Sequence, residues 1–180
     1  MVGGCSLRVI VVEFDKNWSL IFKEESGKIR DILGNECVDI FHIGSTSVPG
    51  LKAKPIIDIM PVVRDISKVD RLNHLFARLG YEPLGENGIP GRRYFRKGGD
   101  ERTHQIHIFE ELDTHNIDRH LALAAYLRCH PDVAHEYGLL KEGLALKFPN
   151  DIDGYSDGKD SFVKEMEQRA LKWYLNGQAD

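Results

Sequence analysis

Between His42 and Ile59 the chain reads HIGSTSVPGLKAKPIIDI, and two of its features are chemically demanding. Gly44-Ser45 closes an apolar stretch, so a turn or helix start there leaves backbone N–H groups facing outward beside a serine hydroxyl. Donors of that kind make a seat for phosphate. Twelve residues separate Ser45 from Asp58, which stands inside an otherwise apolar run. An unpaired buried carboxylate costs roughly several kcal/mol, so Asp58 needs a partner, a solvated cleft or a cation. Side chains alternate across a strand, which puts Ile56, Asp58 and Met60 on one face and Ile57 and Ile59 on the other. A strand ending in a phosphate seat, beside a strand carrying a metal carboxylate, is the layout of phosphoryl or nucleotidyl transfer. Chemistry there is mostly positioning plus charge neutralisation by a divalent ion. The same residues also fit a plain Ser/Gly/Pro loop with Asp58 capping a neighbouring amide. A Walker A loop is excluded, because no Gly-Lys-Ser/Thr follows Gly44 at the required spacing.

Other residues could complete a pocket. His104 and His107 point to opposite faces of a strand, whereas Gln105 and His107 share one. His107 suits a metal ligand or a general base opposite Asp58; a half-buried histidine bonded to backbone fits equally, and His104 reads as solvated. Among Arg92, Arg93 and Arg96, the fork of Arg93 is the candidate for phosphate recognition, and Arg92 and Arg96 read as a solvated hairpin edge. Tyr137 and Lys141 are four apart and share a helix face. They could stack on a base and neutralise a phosphate, or be a core tyrosine with a snorkelling lysine.

The elements that must position these groups follow from periodicity. Leu7 to Phe14 is short and rich in β-branched residues, a strand or extended arm. Trp18, Ile21, Phe22, Ile29, Ile32 and Leu33 form one helical stripe, stopped at Gly34-Asn35. Val38–Ile43 and Pro55–Val63 read as strands, and Ile66 to Leu79 as a helix ended by Gly80. Arg92–Lys97 and Thr103–Phe109 form a hairpin across Gly98-Gly99-Asp100. Helices follow over about Asp118–Cys129, Pro131–Phe148 and Ser161–Asn176, with NDIDGYSDGKD as a polar loop before the last. The fold class is α+β: a mixed sheet of four or five strands flanked by helices, with a helical C-terminal third. Residues 1–180 form one domain, divided into a core over 1–112 and a helical part over 113–180.

Composition narrows the function classes. Hydrophobic residues make up 42% and charged residues 29% of 180, the balance of a globular protein. The net charge of −4 argues against extended nucleic-acid binding but leaves room for a small basic pocket. Cys5, Cys37 and Cys129 are widely spaced with no CxxC, which favours a reducing cytoplasm over a zinc ribbon or disulfide framework. No apolar run approaches the roughly 20 residues of a membrane span. The N-terminus MVGGCSLRVIVVEF makes a poor signal peptide.

HIGSTSVPGLKAKPIIDI, with RTHQIHIF, AYLRCHPDVAHEYGLLK and GYSDGKDSFV, closely resembles the GrpB-like proteins from about Val12 to Ala170. That family is placed in the nucleotidyltransferase superfamily with the polymerase-beta-like core. The resemblance implies a nucleotidyltransferase-like fold. Gly44 and Ser45 match the superfamily's glycine-serine signature, with Ser47 in the same turn, and Asp58 matches the first carboxylate of its Asp-hydrophobic-Asp/Glu pair. Asp58 and His107 are then the catalytic and metal-binding candidates. Gly44, Ser45, Ser47, Lys54, Arg93, Gln105, Arg128, Tyr137, Lys141 and Lys159 are the phosphate-binding candidates, with Lys54, Arg128 and Lys159 matching family positions. The chain departs from the pattern twice. Met60 stands where the second carboxylate belongs, and Gln105-Ile106-His107 replaces a His-x-His. The implied activity is transfer of a nucleoside monophosphate from a nucleoside triphosphate with Mg2+. Its alternatives are a non-catalytic nucleotide- or phosphate-binding module, or an accessory domain, since GrpB-like sequences also occur fused to dephospho-coenzyme A kinases. The expected partner is a small anionic ligand rather than a nucleic acid or membrane, and the residues do not speak to oligomeric state.

Overall fold

The computed structural model describes residues 8–177. The expected strand start at Leu7, residue Cys5 and the first half of the segment read as a poor signal peptide lie outside the described residues. Five strands form one sheet in the order β1-β2-β5-β4-β3, where β1 is Cys37–Ile43, β2 Ile57–Val63, β3 Tyr81–Pro83, β4 Arg93–Lys97 and β5 His104–Glu110. The β2–β5 pair is parallel and the others antiparallel, so the sheet is mixed as expected. The three-residue β3 was not foreseen. Pro61 sits inside β2, where it has no N–H for a ladder; it faces Ile40 of β1, and the β2–β5 register skips Met60 and Pro61.

Each face of the sheet has its own apolar packing. Helix α1 (Trp18–Leu33) lays Trp18, Ile29 and Leu33 against Ile57, Ile59, Ile106 and Ile108. Phe76, from the short helix α2 (Asn73–Arg78), joins the same cluster. The expected long helix from Ile66 is instead a 3-10 segment over Ile66–Leu72 leading into α2. On the opposite face Ile43, Met60 and Phe109 are buried with Ile117 and Leu121 of α3 (Thr114–Cys129) packed on them. The alternation read from the sequence is therefore right for Met60 against Ile57 and Ile59.

Helices α3, α4 (Pro131–Lys147) and α5 (Ile152–Gly177) make up the C-terminal third. Pro131 opens α4 at a position where its missing N–H costs nothing. The polar stretch expected as a loop is mostly helix: α5 begins at Ile152 and carries Tyr155, Gly158 and Lys159. Asp151 explains the early start, since its side chain accepts from the Gly154 N–H at 2.9 Å and caps the new helix. Val48 and Leu51 pack on Leu127, Tyr137 and Met166, tying the loop before β2 to all three helices. The arm over residues 8–14 is extended but joins no strand of the sheet; its only ladder contact is the isolated bridge Val12–Ala53. Val9 fills a small core with Ala145 and Tyr155. Among the described residues no helix is long and apolar enough to cross a membrane.

Candidate active site

Chain reversal after β1 brings Ser45 over Asp58. Gly44 has φ +71°, and a Cβ there would lie 2.6 Å from Asp58 Oδ2, so only glycine lets the turn approach the carboxylate. The turn continues as one 3-10 turn, Ser45–Ser47, whose Ser47 and Val48 amides bond back to Gly44 and Ser45. Those two donors are thus used inside the turn rather than offered outward. Ser47 Oγ also donates to the Gly44 carbonyl at 2.7 Å. Thr46 is buried; its hydroxyl donates to the Ile56 carbonyl at 3.2 Å. That leaves the Thr46 oxygen to accept from His42 Nε2 at 3.0 Å. His42 stacks on Phe22 of α1, and burial pushes its pKa down to about 4.

A cleft of about 140 Å³ opens at this turn, lined by Ser45, Thr46, Lys54, Ile56, Asp58, Gln105, Tyr137, Lys141, Tyr155 and Lys159. Three lysines from three parts of the chain face one aspartate. Lys141 is 2% exposed, places Nζ 2.9 Å from Ser45 Oγ and lies 4.4 Å from the centre of the Tyr137 ring. Lys54 and Lys159 both sit against the ring of Tyr155, at 5.2 and 5.4 Å. Burial, with repulsion from Lys159 and Lys54, pushes Lys141 down to about 7. Burial, with repulsion from Lys159 and Arg102, pushes Lys54 down to about 8, and burial lowers Lys159. Tyr137 is raised to about 12 by burial, its hydroxyl directed at Ser45.

Asp58 is held from the β5 side. His107 Nε2 lies 3.3 Å from Asp58 Oδ1, and Arg92 Nη1 lies 3.3 Å from His107 Nδ1. Arginine only donates, so Nδ1 accepts and the ring proton sits on Nε2, toward the carboxylate. With its amide nitrogen toward Asp58, Gln105 donates to the same Oδ1 at 3.0 Å, while its oxygen accepts from Arg102 and Tyr94. Both nitrogens of His107 are engaged in this chain, and Met60 is fully buried. Among the described residues no group of three or more His, Cys, Asp or Glu is placed to hold a metal. One carboxylate and an engaged imidazole do not fit a two-ion magnesium site.

Most of the expected positions converge. Ser45, Lys54, Asp58, Gln105, Tyr137, Lys141 and Lys159 line the cleft, Gly44 abuts Asp58, and His107 stands behind it. Arg93 is a correction. It pairs with Ile108 on the opposite face of the sheet, and its guanidinium forks onto Asp70 at 2.7 and 3.0 Å. The reach toward the site belongs to Arg92, which precedes β4 and also stacks over Tyr94 at 4.8 Å. Arg128 donates to the Ser47 carbonyl at 3.1 Å and braces the turn from outside the cleft. Tyr155 was missed, although its spacing to Lys159 repeats that of Tyr137 to Lys141.

The GrpB protein family model matches residues 8–169. The chain belongs to the GrpB family. It resembles the crystal structure of the conserved protein GrpB from Enterococcus faecalis, with 49% identity and a TM-score of 0.90 over 92% of this chain and 99% of that one. It is 36% identical to the glutamate-rich protein GrpB of Alkalihalophilus pseudofirmus, over 92% of this chain and 98% of that protein. It is 43% identical to the UPF0157 protein YqkA of Bacillus subtilis across 92% of this chain, and there it spans 48% of the relative's length.

Proposed function

We propose that this GrpB protein binds a small phosphate-bearing ligand, a nucleotide by class, in the cleft between the Gly44–Ser47 turn and α4–α5. The observation that carries the reading is the charge inventory: three half-buried or buried lysines around a single aspartate. Such a cleft is short of negative charge, and an incoming phosphate supplies it. Lysine ammonium groups then take the neutralising role that two ions take in nucleotidyl transfer. Ser45 and Tyr137 add hydroxyl donors, and Tyr155 holds two of the ammonium groups by its ring face.

A second reading, magnesium-dependent transfer of a nucleoside monophosphate, is favoured by the placement of Asp58 directly beneath the glycine-serine turn. The donor set supplies too few free oxygen ligands for it, so binding without metal is the better supported function.

Isothermal titration with ATP, run in magnesium and again in EDTA, separates the two. The expected result is binding that persists in EDTA and weakens about tenfold or more, roughly 1.4 kcal/mol, in Lys54→Met. Absence of binding in either buffer, or binding that requires magnesium and ignores Lys54→Met, would overturn the reading.

A further inference from the structure

Lys141 is buried with no acid to pair with, whereas the half-buried Lys97 and Lys52 each have one. Lys97 meets Glu25 at 2.8 Å, and Lys52 meets Glu13 and Glu142 at 3.0 and 2.9 Å. Among the described residues no carboxylate lies within ion-pair distance of Lys141, and its hydrogen-bond partner is the hydroxyl of Ser45 at 2.9 Å. A buried amine with a hydroxyl for its partner is better suited to exchanging a proton than to holding a charge. The hydroxyl itself lines the cleft, so an electrophile bound there meets its oxygen. Tyr137 closes the far side of the pair, its ring under the amine and its hydroxyl directed at the serine.

We propose that Ser45 is a nucleophile and Lys141 its general base, and that the pair takes a phosphorus group from a phosphoanhydride onto the serine oxygen. The bond from Ser45 Oγ to phosphorus forms, and the bond from phosphorus to the bridging oxygen breaks. The electron pair leaves with the departing phosphate or pyrophosphate, and the hydroxyl proton passes to Nζ of unprotonated Lys141. Lys54 and Lys159 face the charge that develops on the leaving group. Burial and the two neighbouring ammonium groups keep a large fraction of Lys141 unprotonated near neutral pH. Only the identity of the natural electrophile rests on the nucleotide reading above; the serine–lysine pair rests on its own geometry.

Two reagents test the pair. ATP carries the phosphoanhydride, and diisopropyl fluorophosphate offers phosphorus with fluoride as leaving group and no nucleotide to recognise. Each is incubated with the full chain and the product read by intact mass and peptide mapping. The expected result is one phosphorus group on Ser45 from either reagent. Its rate should rise with pH through about 7, as Lys141 loses its proton. Ser45→Ala should abolish the adduct, and Lys141→Met should slow it at least about tenfold and flatten the pH profile. Thermal unfolding of both variants establishes that they are folded. An unmodified serine with both reagents, or a rate that ignores pH and Lys141→Met, overturns the inference. ATP bound in the calorimeter beside an unmodified serine would sink the nucleophile and leave the binding function intact. Fluorophosphate on Ser45 without any ATP binding would do the reverse.

Discussion

Asp58 is the residue on which the two chemistries differ most. Its Oδ1 accepts from both His107 and Gln105, and its other oxygen lies against the Gly44 turn. In a lysine-neutralised cleft the carboxylate competes with the ligand's phosphates for the same ammonium groups. Asp58→Asn should therefore leave metal-free ATP affinity unchanged or tighten it, whereas a metal ligand would lose it. Two donors lose a charged acceptor in the same change, so unfolding in urea should show a loss of about 1–2 kcal/mol. A tighter-binding, less stable variant is the expected pair of results. A variant that no longer binds ATP would restore the metal-centred reading. His107 acts on this carboxylate as a positioning residue, with its tautomer set by Arg92.

Helix α5 is the element on which the cleft most depends. Tyr155 is 1% exposed, packs against Val9 and Ala145, and supports both Lys54 and Lys159 with its ring. Tyr155→Ala removes a buried ring and should cost about 3–5 kcal/mol in urea unfolding, with loss of ATP binding. Tyr155→Phe keeps the ring face and should hold both properties near wild type. The same helix marks the boundary of what sequence could tell. Residues 152–160 are rich in Asp and Gly, which local propensity assigns to loop, yet they wind into α5 because Asp151 caps them and Tyr155 buries its ring. Strands β1 and β2 and the facing of Asp58 were readable, since alternation fixes both once a strand is recognised. The side chain of Arg93 was misjudged for want of a partner. Nothing local to β4 reveals Asp70, which lies 23 positions away and forks the guanidinium to the outer surface.

For the whole molecule, the charge inventory makes stability depend on pH at both ends. The native state holds Lys141 near 7 and Lys54 near 8, against 10.5 for an unperturbed lysine. Between those values the unfolded chain binds more protons, so stability should rise as pH goes from about 7 to 9. Added inorganic phosphate should flatten that rise by stabilising the protonated cleft, and Lys141→Met should remove much of it. On the acid side His42 and His120 are each held down to about 4 by burial, and Glu25 to about 2 by its hydrogen bonds to Lys97, Lys28 and Tyr81 against the opposing effect of burial. The unfolded state again takes up more protons, now as pH falls below about 6.5, and stability should drop steadily through 4. Thermal midpoints measured across this range check both limbs. A midpoint constant from pH 7 to 9 in phosphate-free buffer would contradict the burial of the lysines.

Ser45 and Lys141 touch across 96 positions of chain, and Lys159 comes later still. During synthesis the ribosome releases the whole five-stranded sheet, with its turn and its aspartate, well before α5 has left the exit tunnel. A nascent chain at that stage has the floor of the cleft and none of the ammonium groups that its helices carry. Under the binding function proposed above, full purchase on a ligand waits until α4 and α5 have closed on the sheet, so occupancy would report the docking of those helices.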